Sequence, residues 1–328
     1  MKNLDGLIGA ETAFMRNRVL FTAAELDVFT RLYHHPASAS ELANALVLDA
    51  HATLKLLDAL AALGFLEKQK DRYHVTDEGA VFSSDHPETL LPWILHMNRL
   101  WGSWSNLTEI VKRGSGRLRR SDPEMDQASR RAFIGAMHVV GRGLSLEIAD
   151  AYDASGFTRL LDIGGASGTY TVAFLRKNPG MTAVLFDLPA VMPMAKDRLE
   201  TEGLLDRVTL VEGDFYRDEL PKGCDLALLS AIIHQNSPEQ NVDLYRKVFR
   251  AAEPRGAILI RDHVMSASRT RPPAGALFAV NMLVNTRGGD TYTFDEVKAH
   301  LEAAGFLDIR LVRKGEKMDC LVEARKPA

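Results

Sequence analysis

The stretch "LLDIGGASGTY", Leu160 to Tyr170, decides the fold. It begins as an apolar run of strand length, breaks into a glycine-rich turn and resumes as a helix start. Glycines in such a turn allow a tight backbone and let a ligand approach the N–H groups of a helix N-terminus. The dinucleotide fingerprint G-x-G-x-x-G does not fit, because the third position from Gly164 is Ala166 and the sixth is Thr169. Asp162 stands just before Gly164, in the turn region. A carboxylate there repels a pyrophosphate and suits an ammonium or sulfonium group. The turn therefore points away from NAD and towards S-adenosylmethionine (SAM), which has an amino-acid end and no phosphate. Taken alone, the segment also reads as an ordinary structural turn.

Working outward, strands are expected at Arg159–Ile163, Ala183–Phe186, Val208–Glu212, Leu226–Ser230 and Ala257–Arg261, with helical stretches between them. This alternation argues for an α/β domain with a parallel sheet covered on both faces. "FLDIRLVRK" and "DCLVEAR" add two more strands. The second strand ends in Asp187, where adenosine ribose hydroxyls are gripped in open α/β sheets. The third ends in "VEGDFY", so that Asp214 suits an adenine amino group and Phe215 the ring face. Three successive strands ending in carboxylates are far more specific than any one of them. The fourth strand runs out into "SAIIHQNSPEQN", which places His234 at its carboxyl end. Asp262 ends the fifth. Imidazoles titrate near neutral pH, and an adjacent carboxylate orients the ring and stabilises the imidazolium.

Ahead of this domain lie two other blocks. Residues 1–85 give helical patterns over Leu4–Tyr33, a short helix capped by Ser38 or Ser40, and a helix from His51 that stops at Gly64. The strand pair "GFLEK" and "RYHVT" follows. Helix, turn, helix and hairpin make a winged-helix pattern. DNA binding is disfavoured, since between His35 and Ala80 four basic residues face seven acidic ones. The second helix, "HATLKLLDALAAL", is also too apolar for a groove. Packing or dimerisation is expected instead. Residues 86–155 read as all-helical, rich in Trp, Met and Phe, some of them core and some fit to line an apolar pocket.

The bulk numbers agree with a two-domain, intracellular protein. The chain has 328 residues, 46% hydrophobic and 25% charged, with net charge −3. No basic surplus advertises nucleic acid or anionic lipid. Cys224 and Cys320 show no metal spacing and no disulfide framework, which suits a reducing cytoplasm. No apolar run approaches the roughly 18 residues of a membrane span, and the opening residues show no basic-then-apolar signal pattern. No cluster of His, Asp or Glu has metal-ligand spacing.

The chain as a whole resembles the SAM-dependent O-methyltransferases of the plant caffeate and acetylserotonin type and their bacterial relatives. The motifs are "LLDIGGASG", "FDLPAV", "VEGDF", the histidine of "IIHQNS", "RGAILIRDHV" and "GGDTYTFDEVKAHLEAAGF". The resemblance implies a winged-helix dimerisation domain (1–85), a helical connector (86–155) and a Rossmann-like class I methyltransferase domain (156–328). It implies a homodimer formed through the N-terminal domain, with SAM as methyl donor, S-adenosylhomocysteine as product and no metal. It assigns SAM to Gly164, Asp187, Asp214 and Phe215, and Asp162, Gly165 and Ser230 belong to the same cradle. Trp101, Phe133, Met137 and Met282 match positions around the cofactor or a small hydroxylated substrate. His234 matches the catalytic base and Asp262 the base-orienting Glu, one methylene shorter.

Three positions depart from the pattern. His-Asp becomes His234–Gln235, and a cofactor-contacting Lys becomes Ser230. The Glu of "GG-x-E-R-T" becomes Thr291, with Asp290 one place off. Such changes also occur where the fold methylates carbon or nitrogen, or runs a non-methylating reaction. A non-catalytic SAM- or DNA-binding regulator is the alternative from another class. His263 is expected to face away from Asp262 on a regular strand. The remaining histidines, His96 and His138 among them, have no partner legible in the sequence.

Overall fold

The computed structural model describes residues 12–114 and 126–328. Residues 4–11 of the helical pattern Leu4–Tyr33, and residues 115–125 of the helical block, lie outside them. Two compact units emerge. One holds the described residues through Gly102 together with residues 126–139; the other holds residues 103–114 and 140–328.

In the first unit, α1 (Ala13–Glu25) and α2 (Val28–His34) are separated by Asp27, which takes a left-handed conformation at φ 58°. Ser38, at the end of β1 (Ala37–Ser38), caps α3 (Ala39–Leu46). Its hydroxyl accepts the Glu41 N–H, and Glu41 accepts the Ser38 N–H in return. Asp49 caps α4 (Ala50–Ala62) by accepting from the Ala52 N–H, and Gly64 follows at φ 86°. β2 (Leu66–Gln69) and β3 (Arg72–Val75) form the hairpin, and β1 adds to β3. Leu57, Leu60 and Tyr73 are buried with Phe29 and Leu32 in this unit's core. The expected helix–turn–helix and wing are therefore present. α5 (Asp77–Ala80), α6 (Leu91–Ser105), α7 (Leu107–Arg113) and α8 (Gln127–Ala151) complete the helices of this half of the chain. Within α8, Ser129–Ala151 has the length and mean hydropathy, 1.2, of a possible membrane span. Arg130, Arg131, Arg142, Glu147 and Asp150 interrupt that segment, so it holds no unbroken apolar run of span length.

The second unit is built on a seven-stranded sheet. Its strands are β4 (Arg159–Ile163), β5 (Thr182–Asp187), β6 (Val208–Glu212), β7 (Cys224–Ser230), β8 (Ala252–Asp262), β11 (Leu307–Arg313) and β12 (Cys320–Arg325), while β9 (Val264–Met265) and β10 (Tyr292–Thr293) form a separate pair. Their order is β11-β12-β8-β7-β4-β5-β6. β4 to β8 are mutually parallel; β12 and β11 are antiparallel additions at one edge. Burial on both faces explains the unbroken apolar runs of the sequence. Leu161, Ile163, Ile258 and Ile260 pack with α11 (Pro238–Ala251) and α13 (Phe294–Ala303). Leu160, Leu228 and Leu259 face the other way. They pack with α9 (Thr169–Lys177), α10 (Met192–Thr201) and the end of α8. The order reverses beside β4, between the β5–β6 side and the β7–β8 side. In open α/β sheets that reversal opens a ligand crevice at the strand carboxyl ends.

Candidate active site

The glycine turn is fixed by neighbours that leave no room for side chains. Gly164 sits at φ 69° and donates its N–H to the Phe186 carbonyl at 2.8 Å. A Cβ there would lie 2.6 Å from Ile232 Cδ1 and 3.5 Å from the Phe215 ring. At Gly165 a Cβ would lie 2.9 Å from the Asp162 carboxyl carbon. Asp187 ties the turn to β5, accepting the Ala166 N–H at 2.8 Å and the Leu188 N–H at 2.7 Å. Burial raises its pKa, while those two N–H groups favour its charged form.

Asp162 is not in the turn. It lies inside β4, paired to Leu185 and Leu228, and is buried. One oxygen accepts from the Thr171 hydroxyl at 2.6 Å; the other is buried with no partner among the described residues. Burial lifts its pKa to about 6. Asp214 begins the turn after β6. It accepts the Tyr216 N–H at 2.9 Å, and the Phe215 ring stands 4.5 Å from that of Tyr216. The Ser230 hydroxyl accepts from Arg261 Nε at 2.8 Å.

His234 lies in a single 3-10 turn, Ile233–Gln235, after β7. Its Nδ1 is 2.9 Å and 3.0 Å from the two Asp262 oxygens, and both side chains are buried. Burial opposes the Asp262 charge, yet the attraction and hydrogen bond of His234 hold its pKa below the usual range. An ionised Asp262 is acceptor-only. It therefore fixes the proton on Nδ1 and leaves the Nε2 lone pair free of protein partners among the described residues. The Phe278 ring, on α12 (Pro273–Asn285), meets the imidazole edge-on at 4.8 Å. Beneath the turn, Asn241 donates to the Ile233 carbonyl at 3.0 Å and accepts from Asn236 at 2.9 Å. Tyr292 donates to the Asn236 carbonyl. Gly289 lies so close that a Cβ would be 2.4 Å from the His234 carbonyl oxygen.

His263 does not face away. β8 ends at Asp262, whose carboxylate accepts the His263 N–H at 2.8 Å, so the pleat stops there. The His263 ring contacts the same Phe278 at 5.0 Å. Thr291 bonds the Gly275 carbonyl and Asp290 pairs with Arg269, so neither supports His234. Trp101, Phe133 and Met137 belong to the first unit and Met282 to the second. Trp101 meets Phe21 edge-on, and Phe133 lies against His96, whose pKa burial lowers to about 4. Met282 is buried in α12. Sequence reasoning missed Phe278, Asn236, Asn241 and Arg261. Arg261 alone carried a signal, as a charge in an otherwise apolar strand.

The residues present fit SAM. The turn admits a close ligand, Asp162 keeps one buried acceptor unmet, and acceptors stand at the ends of β5 and β6. Among the described residues no group of three or more His, Cys, Asp or Glu is placed to hold a metal. A parallel sheet with this reversal and this turn defines a Rossmann-like class I methyltransferase domain preceded by a helical domain. The O-methyltransferase domain family matches residues 112–307, and the O-methyltransferase dimerisation domain family matches residues 11–85. The chain belongs to the O-methyltransferase family. It is 30% identical to the tetracenomycin polyketide synthesis 8-O-methyl transferase TcmO of Streptomyces glaucescens, over 96% of this chain and 94% of that one. Human N-acetylserotonin methyltransferase, in complex with SAM, superposes with a TM-score of 0.84 at 25% identity, covering 100% and 99% of the two chains. The N,N-8-amino-8-demethyl-D-riboflavin dimethyltransferase RosA of Streptomyces davawensis gives 0.83 at 25% identity, covering 99% and 100%. The protein is thus a SAM-dependent methyltransferase carrying a domain for self-association.

Proposed function

We propose that the enzyme moves the SAM methyl group to a hydroxyl of a small aromatic or polyketide-like molecule, with His234 as general base. The observation that carries this reading is the two-oxygen grip of Asp262 on His234 Nδ1. SAM, when bound, supplies an electrophilic methyl whose leaving group is the neutral thioether of S-adenosylhomocysteine. Nε2 of His234 takes the hydroxyl proton and leaves an oxygen nucleophile. Nδ1–H keeps its hydrogen bond to Asp262, whose charge stabilises the imidazolium. The asparagine network and Phe278 hold the ring in place, which matters because in-line displacement depends on alignment.

Gly164, Gly165, Asp187, Asp214 and Phe215 hold the adenosine half in this reading, with Asp162 and Ser230 towards the methionine half. Each of Trp101, Phe133, Met137 and Met282 stands at a position that the family resemblance gives to the cofactor or acceptor, and no metal takes part. Residues 1–85 form the dimerisation domain, 86–155 the connector and 156–328 the catalytic domain. The protein works in the cytoplasm as a homodimer, away from nucleic acid and membrane. The test is methyl transfer from labelled SAM to phenols, catechols and hydroxyquinones. Wild type is expected to label a hydroxyl, and His234→Ala to lose roughly 10²–10⁴ in kcat. A variant as active as wild type removes the general base from the mechanism. Methylation at nitrogen is the second reading, favoured by the likeness to RosA and by the single carboxylate behind His234. Labelling of arylamines and not of phenols selects it.

A further inference from the structure

Arg261 is a buried guanidinium without a carboxylate. It is 6% exposed, donates from Nε to Ser230 and from Nη1 to the Met318 carbonyl at 2.7 Å, and lies 4.8 Å from the centre of the Tyr170 ring. All three partners are neutral. It forms no ion pair among the described residues, and Nη2 has no partner there. The Asp162 and Asp262 carboxylates attract it through space without bonding it, so its N–H groups lack the charged acceptor that best satisfies a buried guanidinium.

The sheet register shows where such an acceptor belongs. Leu160, Leu228 and Leu259 share one face of the sheet. Two residues on along each strand, that same face carries Asp162, Ser230 and Arg261. Asp162 is level with Leu228, and Arg261 with Ser230, one pleat nearer the carboxyl ends. The glycine turn and the first turn of α9, with Tyr170 and Thr171, follow directly from β4. The Tyr170 hydroxyl is also buried, beside the Ser230 hydroxyl. One face at the sheet's end thus holds a guanidinium with no bonded carboxylate and a carboxylate with one unmet oxygen. That set complements a zwitterion.

We infer that Arg261 is the anchor for the α-carboxylate of the SAM methionine end, with the spare oxygen of Asp162 taking the ammonium. The inference rests on the SAM reading above. Ser230 and the Tyr170 ring act as positioning groups that hold the guanidinium, so the neutral Ser230 is served by a charge from the next strand. A bidentate-capable arginine suits a carboxylate better than a lysine would.

The test uses the full-length protein and calorimetric titration with three ligands. S-adenosylhomocysteine carries both charges, S-adenosyl-thiopropylamine keeps the amine and lacks the carboxylate, and methylthioadenosine lacks the whole amino-acid end. Wild type is expected to prefer the first over the second by roughly 10–100-fold, the range of a charge-assisted pair. Arg261→Met is expected to shrink that ratio to below about threefold and leave methylthioadenosine binding unchanged; Arg261→Lys retains part of the ratio. Equal losses for all three ligands in Arg261→Met assign the residue a structural role and overturn the inference. So does a wild type that binds the first two alike, an outcome readable even if the methionine variant does not fold. A wild type that binds none of the three overturns the SAM reading together with this one.

Discussion

At the scale of single residues, two buried carboxylates have been driven in opposite directions. Asp262 is held ionised by His234, and Asp162 is pushed towards its neutral form with a pKa of about 6. For Asp162 the folded pKa lies above the unfolded value near 4, so the folded state binds the proton more tightly. The charged form therefore destabilises the fold at pH above 6, and the penalty vanishes below 4. Two pKa units correspond to about 3 kcal/mol. The difference in unfolding free energy between wild type and Asp162→Asn, measured in denaturant across pH, is expected to be flat below pH 4. It should turn against wild type between pH 4 and 6 and level off above that. A pH-independent difference would falsify the assignment. Asp262→Asn removes the charge that fixes the Nδ1 proton while keeping the shape. It should cost at least about 10² in kcat. S-adenosylhomocysteine affinity, read by calorimetry, should stay where it is, and a matching loss of affinity argues for collapse of the site instead.

At the scale of elements, the parallel strands were legible because burial on both faces writes them as apolar runs ended by Gly, Asp or Ser. The caps at Ser38 and Asp49 were legible for a local reason, since each bonds a backbone N–H three residues on; Ser237 caps α11 in the same way and was not read from the sequence. β8 starts five residues before its expected start at Ala257, because Glu253, Pro254 and Gly256 read as a turn. The pairing of His234 with Asp262 was legible from strand-end positions, but the support beneath it was not. Gly289 and Tyr292 reach the histidine turn from more than fifty residues away, and no spacing rule reports such a contact. Gly289→Ala forces a Cβ against the His234 carbonyl, so the turn must move. It should lower kcat at least about tenfold, because small misplacements are costly in an aligned displacement. Asn241→Leu leaves the Ile233 carbonyl and the Asn236 amide unpaired in the core. Loss of about 2–4 kcal/mol in chemical denaturation is expected. Retention of full stability would show that water replaces the amide.

At the scale of the whole molecule, the sequence carried a division of labour between a helical half with a wing and an α/β half with the chemistry. It could not show which apolar residues of the first half point outward, because a helix stripe facing a core and one facing a partner read alike. The structure separates them. Leu20, Ala23 and Ala24 of α1 are buried, whereas Phe14 and Met15 at its start are 53% and 56% exposed. Val47, after α3, is 92% exposed. All three fall within residues 11–85, which match the dimerisation domain family. Large apolar side chains left open on such a surface suit a self-complementary contact, in which each patch meets its own copy or a neighbour across a two-fold axis. Phe14→Glu combined with Met15→Glu brings four like charges into that contact in a dimer. Stability within the subunit should change little, since exposed positions usually contribute within about 0.5 kcal/mol. Sedimentation velocity at matched concentrations should therefore find wild type as a dimer and the double variant shifted to monomer, with its circular dichroism unchanged. A double variant that still sediments as a dimer moves the contact away from the start of α1, and Val47→Glu then becomes the variant that decides whether the interface lies at α3.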